Sequence, residues 1–436
     1  MKFARIFSGQ RFAVLGLGKA GLPAVRALQS MGAEVFAWDD SASARQAAKD
    51  VVLRKPSEIG LPLDALVLSP GIPHKLPKPH EQALWAAQQG LPILTDAELL
   101  YRAVRGAGSA ARFAGITGTN GKSTTTALLA HILTLAGVPN AAGANLGPAA
   151  LSLPLLPDNG VYVLEMSSYM LERIATLRFD VAAMLNLSPD HLDRHGDMAG
   201  YAAAKREIFA RQDAACTAVI GVDDAGAREM AAWLATQPAQ VVQISGARFS
   251  TQGAAALPGE HNAQNAAAAS AMAMALGVSA DMIAEAIQSY PGLPHRQAKI
   301  AEIDGISFIN DSKATNADAA SRAMGCYDRF IWIAGGAGKA GGIESLAAFF
   351  PRVQKAFLIG QDGAAFAETL QAHGVANDVV ATLEAAVPLA FAAAKQGGIA
   401  TVLFSPAAAS FDQFRSFEHR GDVFTALANA LVKDAA

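Results

Sequence analysis

Gly115-Ile116-Thr117-Gly118-Thr119-Asn120-Gly121-Lys122-Ser123-Thr124-Thr125 is the stretch that decides how the rest of the chain is read. A short apolar run precedes it, and a helix is expected over Thr124–Leu135. Glycines let backbone N–H groups curl around a phosphate chain, and a helix N-terminus adds its dipole. Lys122 supplies a point charge and Ser123 a hydroxyl for Mg²⁺. The pattern predicts a nucleoside triphosphate held by Gly118, Thr119, Asn120, Gly121, Lys122, Ser123 and Thr124. One position departs from the common phosphate-loop pattern: Ile116 stands five before Gly121, where that pattern has glycine. The plain alternative is a strand-to-helix turn with no ligand.

Outward from this loop, short Val/Ile/Leu-rich runs alternate with longer Ala/Leu-rich stretches. Phe12–Leu15, Ala65–Leu68, Tyr162–Leu164, Ala182–Leu185, Ile331–Ile333, Ala356–Ile359 and Thr401–Phe404 read as strands. This alternation predicts an α/β fold with largely parallel sheets. The 436 residues suffice for about three domains. Two stretches divide them. Arg105-Gly106-Ala107-Gly108-Ser109-Ala110 is small and expected to be flexible, and Tyr290-Pro291-Gly292-Leu293-Pro294 is a Pro/Gly break after a long helical region. The expected domains are 1–106, 107–293 and 294–436.

A net charge of −3, with no long run of like charges, argues against a nucleic-acid binder, which would carry a basic stripe. Cys216 and Cys326 are far apart and in no Cys-x-x-Cys pattern, so neither a disulfide framework nor a zinc-cysteine site is expected. The apolar stretch from Phe12 is broken at Gly16 and Gly18, and Ala266–Val278 is too short to span a bilayer. A cytoplasmic protein with no membrane partner is expected.

Further candidates follow predicted strands. Val161–Leu164 ends in Glu165-Met166-Ser167-Ser168, a carboxylate where an α/β site forms and of the kind Mg²⁺ takes. Asp180–Asn186 runs into Leu187-Ser188-Pro189-Asp190-His191-Leu192-Asp193-Arg194-His195. Lys205 follows on an expected helix, Tyr201–Phe209. Near the N-terminus, Gly16-Leu17-Gly18-Lys19-Ala20-Gly21 with Asp39-Asp40 reads on its own as a dinucleotide fingerprint, for NAD or FAD.

Together these segments resemble the Mur ligase family. The phosphate loop, the strand-end glutamate with paired serines and the Asp190–Arg194 segment occur in order. They are followed by His261-Asn262-Ala263-Gln264-Asn265, Leu293-Pro294-His295-Arg296 and Asn310-Asp311-Ser312-Lys313-Ala314-Thr315-Asn316. The block Leu403–Phe414, with Phe417 and Arg420-Gly421-Asp422, is similar to the glutamate-adding branch. Ala337 and Ala408 stand where many relatives have a polar residue or cysteine.

The resemblance implies a UDP-binding Rossmann-like N-terminal domain, a central ATPase and a Rossmann-like C-terminal domain that closes over the amino acid. It implies ATP as cosubstrate and two Mg²⁺ ions. Lys122 is then on the ATP phosphates. Ser123, Glu165, His191 and a carbamylated Lys205 are metal ligands, and Lys122, His191, Lys205 and Asp311 are catalytic. Asn265, Arg296 and Asp311 contact the ATP. Gly18, Lys19, Asp39, Asp40, Ser69, Gly71, Asn145 and His191 face the UDP-linked substrate, which redirects the N-terminal fingerprint. Thr315, Lys339, Ser410, Phe411 and Phe417 form the amino-acid pocket. The implied reaction joins glutamate to UDP-N-acetylmuramoyl-L-alanine through an acyl phosphate, in a monomer. The rivals are a folate-type ligase, a dinucleotide-dependent oxidoreductase and a non-catalytic nucleotide-binding regulator.

Overall fold

Three sheets organise the chain. The computed structural model describes residues 3–60, 62–338 and 341–435, so the predicted site residue Lys339 lies outside the described residues. The first sheet contains β1 (Arg11–Leu15), β2 (Glu34–Trp38), β3 (Val52–Leu53), β4 (Ala65–Leu68) and β5 (Ile93–Leu94), in the order β3-β2-β1-β4-β5. The second contains β6 (Arg112–Thr117), β7 (Asn140–Ala144), β8 (Val161–Glu165), β9 (Val181–Met184), β10 (Thr217–Gly221) and β11 (Gln240–Ile244), in the order β11-β10-β9-β6-β8-β7. All pairings in these two sheets are parallel.

The third sheet contains β12 (Ala298–Ile303), β13 (Ile306–Asn310), β14 (Phe330–Gly335), β15 (Val353–Ile359), β16 (Asn377–Ala381) and β17 (Thr401–Phe404). Its order is β12-β13-β17-β14-β15-β16, parallel except for the antiparallel edge strand β12. The sequence reading of an α/β protein with largely parallel sheets therefore holds. Central strands such as β8 (VYVLE), β9 (VAAM) and β14 (FIWIAG) are buried along their whole length. Helices cover both faces of such strands, so each reads as a continuous apolar run.

The chain forms two compact units, Met1–Gly253 with Glu260–Tyr290, and Ala254–Gly259 with Pro291–Ala436. The first two sheets belong to the first unit. The stretch 105–110, expected to be flexible, is instead tied down. Arg105 Nη1 donates to the carbonyls of Ser109 and Ala111 at 2.8 and 2.9 Å, and Ala110 N donates to Asp158 Oδ1 at 2.9 Å. Small residues there permit tight packing as readily as motion.

A buried carboxylate links the two sheets of that unit. Glu98 accepts from the amides of Ala175, Thr176 and Leu177 at 2.9–3.0 Å, from Thr176 Oγ1 at 2.6 Å and from Arg102 Nε at 2.8 Å. Burial pushes its pKa up, but these donors outweigh burial and hold it below the ordinary value. Its stabilisation is present above the unfolded-chain pKa and is lost as pH falls through the lower folded one. Glu98→Gln is expected to destabilise the protein by about 2–3 kcal/mol at neutral pH, because buried amides lose an acceptor. The deficit should shrink toward pH 4, where wild type loses the same contribution. Urea unfolding at both pH values checks this.

Candidate functional site

Parallel sheets present ligand sites at the carboxyl ends of strands, where neighbouring connections leave in opposite directions. In the second sheet β6 lies between β8 and β9. Ile116 pairs with Glu165, and Thr117 with Met184. This explains both the sequence departure at Ile116, which is still in the strand, and the convergence of the three strand exits. The turn begins at Gly118 (φ +150°) and closes at Gly121 (φ +83°), which caps the helix Lys122–Leu135. That helix starts two residues earlier than expected because left-handed Gly121 is its cap. A Cβ at Gly121 would collide with the side-chain oxygen of Asn265, so both shape and conformation require glycine.

The loop is fastened to the exit of β9. Asn120 N donates to Asn186 Oδ1 at 2.8 Å, and Asn186 Nδ2 returns a bond to Asn120 O at 3.2 Å. Thr119 Oγ1 donates to Ser188 O at 3.1 Å. Asn265 sits behind the loop on the buried helix Glu260–Ala275, accepting from Thr125 Oγ1 at 3.4 Å. Many residues of that helix are buried alanines, whose small side chains let it pack closely on Lys122–Leu135.

Two lysines meet at one carbonyl. Lys122 Nζ donates to Gly118 O and Thr119 O, each at 2.8 Å. Lys205 Nζ donates to the same Gly118 O at 2.9 Å. Lys205 is 1% exposed, on the helix Met198–Arg206, which starts three residues earlier than expected because Asp197 caps it through Gly200 N. Burial first, then the Lys122 charge, drive the Lys205 pKa well below the ordinary lysine value. Beside them Glu165 is 2% exposed. Its Oε1 accepts from Asn145 Nδ2 at 2.6 Å, while its Oε2 is buried with no hydrogen-bond partner. A buried carboxylate oxygen left open is the donor a hard cation takes. Ser123 is buried in the first turn of the loop's helix. His191 has left-handed backbone (φ +53°) and lies 3.3 Å from Asp190 Oδ2. Burial lowers its pKa most, and Lys122 and Lys205 push the same way.

A second cleft, of about 460 Å³, opens at the ends of β1 and β4. Gly18, Lys19, Asp39, Asp40, Ser69, Gly71 and Asn145 all line it, whereas His191 does not. Besides Asn145, bound to Glu165, two more of these side chains are partly committed elsewhere. Asp39 accepts from Leu17 N at 2.7 Å and Ser41 N at 2.8 Å, bracing the glycine turn. Ser69 Oγ donates to Gly16 O at 3.0 Å. Asp40 is oriented by His80, whose Nε2 lies 2.8 Å from Asp40 Oδ2. Because His80 Nδ1 accepts from Gln82 N at 3.1 Å, Nε2 carries the proton that Asp40 receives. This hydrogen bond is the main cause of Asp40's lowered pKa.

In the second unit, Asp311 follows β13. Its Oδ2 accepts from Ser405 Oγ at 2.7 Å and its Oδ1 from Gln297 N at 3.2 Å. Burial raises its pKa to about 7. Arg420 is buried beside it and donates to Ser312 Oγ, Ser312 O and Ala408 O at 2.8–3.0 Å. Ser312 Oγ donates in turn to Phe417 O at 2.8 Å. Lys313 Nζ lies 4.3 Å from the centre of the Phe417 ring. Ser410 is buried, Thr315 and Arg296 are half-buried, and Phe411 is 77% exposed.

Comparison with known proteins gives this arrangement its family. Residues 116–255 match the Mur ligase middle domain. The UDP-N-acetylmuramoylalanine--D-glutamate ligase of Paramagnetospirillum magneticum is 48% identical over 98% of this chain and 97% of its own. That of Rhodospirillum rubrum is 47% identical over 97% and 94%. The chain belongs to the Mur ligase family. Its fold is also that of the UDP-N-acetylmuramate-alanine ligase MurC of Thermotoga maritima, with a TM-score of 0.58 at 16% identity, covering 97% of this chain and 99% of that one.

Sequence reasoning assigned no role in this Mur ligase to Asn186, His80, Gln264 or Arg420. Asn186 was within reach of the strand-exit rule, since it follows β9 as Glu165 ends β8. The other three act on partners far away in sequence, His80 on Asp40, Gln264 on Asn186 and Asp223, and Arg420 on Ser312, so their roles do not show within the segments that contain them.

Asp311 yields a pH prediction. Its folded pKa lies above the unfolded value near 4, so between those values the folded chain binds the extra proton. Stability therefore falls as pH rises from 5 to 8. Asp311→Asn removes this slope. Its stability relative to wild type should improve from pH 5 to pH 8, by on the order of 1 kcal/mol. Urea titrations of both proteins at the two pH values measure it.

Proposed function

We propose that the chain is a UDP-N-acetylmuramoylalanine--D-glutamate ligase, consuming ATP to form an amide. The relatives of that name, alike over nearly the full length, support this reading of the substrates. The observation that carries the chemistry is the meeting of Lys122, Lys205 and the open oxygen of Glu165 around one phosphate loop. In this reading residues 1–106 bind the UDP portion, 107–293 the ATP, and 294–436 the glutamate.

The reaction begins when the substrate carboxylate attacks the γ-phosphorus of ATP, and ADP leaves. Lys122 and the loop amides stabilise the charge on the transferring group. Ser123, Glu165 and His191 are the residues that would hold Mg²⁺, which supplies further positive charge to the phosphoryl oxygens. The amine of D-glutamate then attacks the acyl phosphate. It loses a proton, and phosphate departs to leave the amide. Asn265, Arg296 and Asp311 serve the nucleotide, and Thr315, Ser410, Phe411 and Phe417 the amino acid.

Lys205 is assigned a carbamate. A buried amine beside a cation is held neutral, and a neutral amine adds to CO₂. An N–C bond forms, one proton is released, and the group becomes an anionic oxygen ligand. The alternative, an ammonium on phosphate, would put a second cation in a dry site next to Lys122. ¹³C-bicarbonate should therefore label one lysine in the wild-type enzyme by NMR, and Lys205→Arg should lack that signal. A label that persists in the variant would refute the assignment.

Phosphate release tests the whole reading. With UDP-N-acetylmuramoyl-L-alanine, ATP and Mg²⁺, D-glutamate should support turnover while L-glutamate, L-lysine and diaminopimelate should not. Lys122→Ala should cut kcat by about a hundredfold or more, the scale of losing one preorganised charge donor. Near-normal turnover in that variant would overturn the mechanism.

A further inference from the structure

The residues after β8 carry a second device besides the amides that Glu98 receives. Arg173 is 2% exposed, yet among the described residues its hydrogen bonds go to backbone carbonyls and not to a carboxylate. Its Nη1 donates to Leu68 O at 2.9 Å and Ser69 O at 3.1 Å. Its Nη2 donates to Pro70 O at 3.2 Å and Ile72 O at 3.1 Å. One guanidinium thus gathers four carbonyls, one at the end of β4 and three in the turn that follows it. Arg194 adds a fifth bond, from Nη1 to Gly71 O at 3.1 Å. In return, Arg173 O accepts from Thr95 N at 3.2 Å, next to Glu98 on the first sheet's side.

This is a costly arrangement for mere packing. A buried cation with no carboxylate hydrogen-bonded to it loses hydration that carbonyl dipoles and the charge of nearby Glu172 only partly replace. Burial lowers the Arg173 pKa to about 10, the mark of that cost. What it gains is direction. A trans peptide holds its C=O and the following N–H antiparallel. Drawing Pro70 O inward therefore turns the Gly71 N–H the other way. Pro70 and Pro73 have no N–H of their own, and the Ser69 and Ile72 amides are used within the fold, on Leu15 O and Ser69 O. Gly71 lies in the lining of the 460 Å³ cleft, with Ser69, Pro70 and Ile72.

We propose that Arg173 is a positioning residue for the nucleotide cleft: by fixing the carbonyls of Leu68, Ser69, Pro70 and Ile72 it aims the Gly71 amide at the diphosphate or ribose of a bound nucleoside-diphosphate sugar. The proposal rests on the reading of this cleft as the UDP site. Arginine is needed because its planar fork spans several acceptors at once, whereas a lysine ammonium is a single point with three donors. Arg173 touches no reacting atom, so its effect falls on one substrate.

The test uses the full-length enzyme. Binding of UDP and of UDP-N-acetylmuramoyl-L-alanine is measured by calorimetry for wild type, Arg173→Met and Arg173→Lys, with KM for ATP and D-glutamate in parallel. Both UDP compounds should bind about tenfold or more weakly to Arg173→Met, with a smaller loss in Arg173→Lys, while KM for ATP stays within about twofold. If Arg173→Met does not fold, Arg173→Lys decides by the same split between substrates. Unchanged affinity for UDP, or an equal loss for ATP and glutamate, would overturn the positioning role. Failure of the wild-type enzyme to bind either UDP compound would instead remove the reading of the cleft beneath it.

Discussion

Two amines compete for the carbonyl oxygen of Gly118, and the site follows from how that conflict is resolved. Lys122 and Lys205 both donate to it at under 3 Å, and Lys205 has almost no contact with water. Two ammonium groups so placed would repel strongly in a medium of low dielectric constant. Burial, then the Lys122 charge, lower the pKa of the more buried one well below that of an ordinary lysine. Lys122 is half-buried, and in the proposed function it is the point charge that a phosphate chain meets. The neutral form of Lys205, which burial favours, is the one that the proposed carbamate requires. The position of Lys205 therefore matters more than its identity as a basic residue. It is set by Asp197, which starts the helix Met198–Arg206.

The glycines and strand ends form the frame that makes this crowding tolerable. β6 is flanked by β8 and β9, so Glu165, Gly118 and Asn186 leave the sheet side by side. The loop is then fixed by side chains from both directions: Asn186 binds Asn120 from the β9 exit, and Asn265 closes the back of Gly121. The first sheet repeats the same geometry at β1 and β4, with Asp39 bracing the glycine turn and Ser69 bound to Gly16 O. Glu98 and Arg173 join the two frames into one unit.

The parts legible in the sequence were those with local causes. The phosphate loop, the strands and the carboxylate ending β8 all show themselves within a few residues. Boundaries slipped by one to three residues where caps decide them, as at Gly121 and Asp197. The burial of Lys205 was not legible, because it depends on a packing partner 87 residues away. Glu98 and Arg173 reach across 77 and 105 residues, and neither sits in a motif. Asp39 was legible as a cleft residue but not as a brace for Leu17 N, which only the folded turn reveals. The glycine fingerprint alone read as a dinucleotide site, and only the resemblance redirected it to a nucleotide-sugar, since both present a diphosphate to the same turn.

Asn145 shows how the two frames bear on each other. It lines the 460 Å³ cleft, and its Nδ2 holds Glu165 Oε1 at 2.6 Å. A carboxylate has two oxygens on one planar group, so fixing one fixes the other. The bond to Asn145 therefore leaves Oε2 as the oxygen without a partner and sets its direction. Asn145 N also donates to Glu165 O at 3.1 Å, so side chain and backbone are held at once. An amide suits this task better than a lysine or a carboxylate would. It donates to Glu165 without bringing a charge that would compete with a cation. The bond is short, and it ties the edge of the 460 Å³ cleft directly to the carboxylate that ends β8.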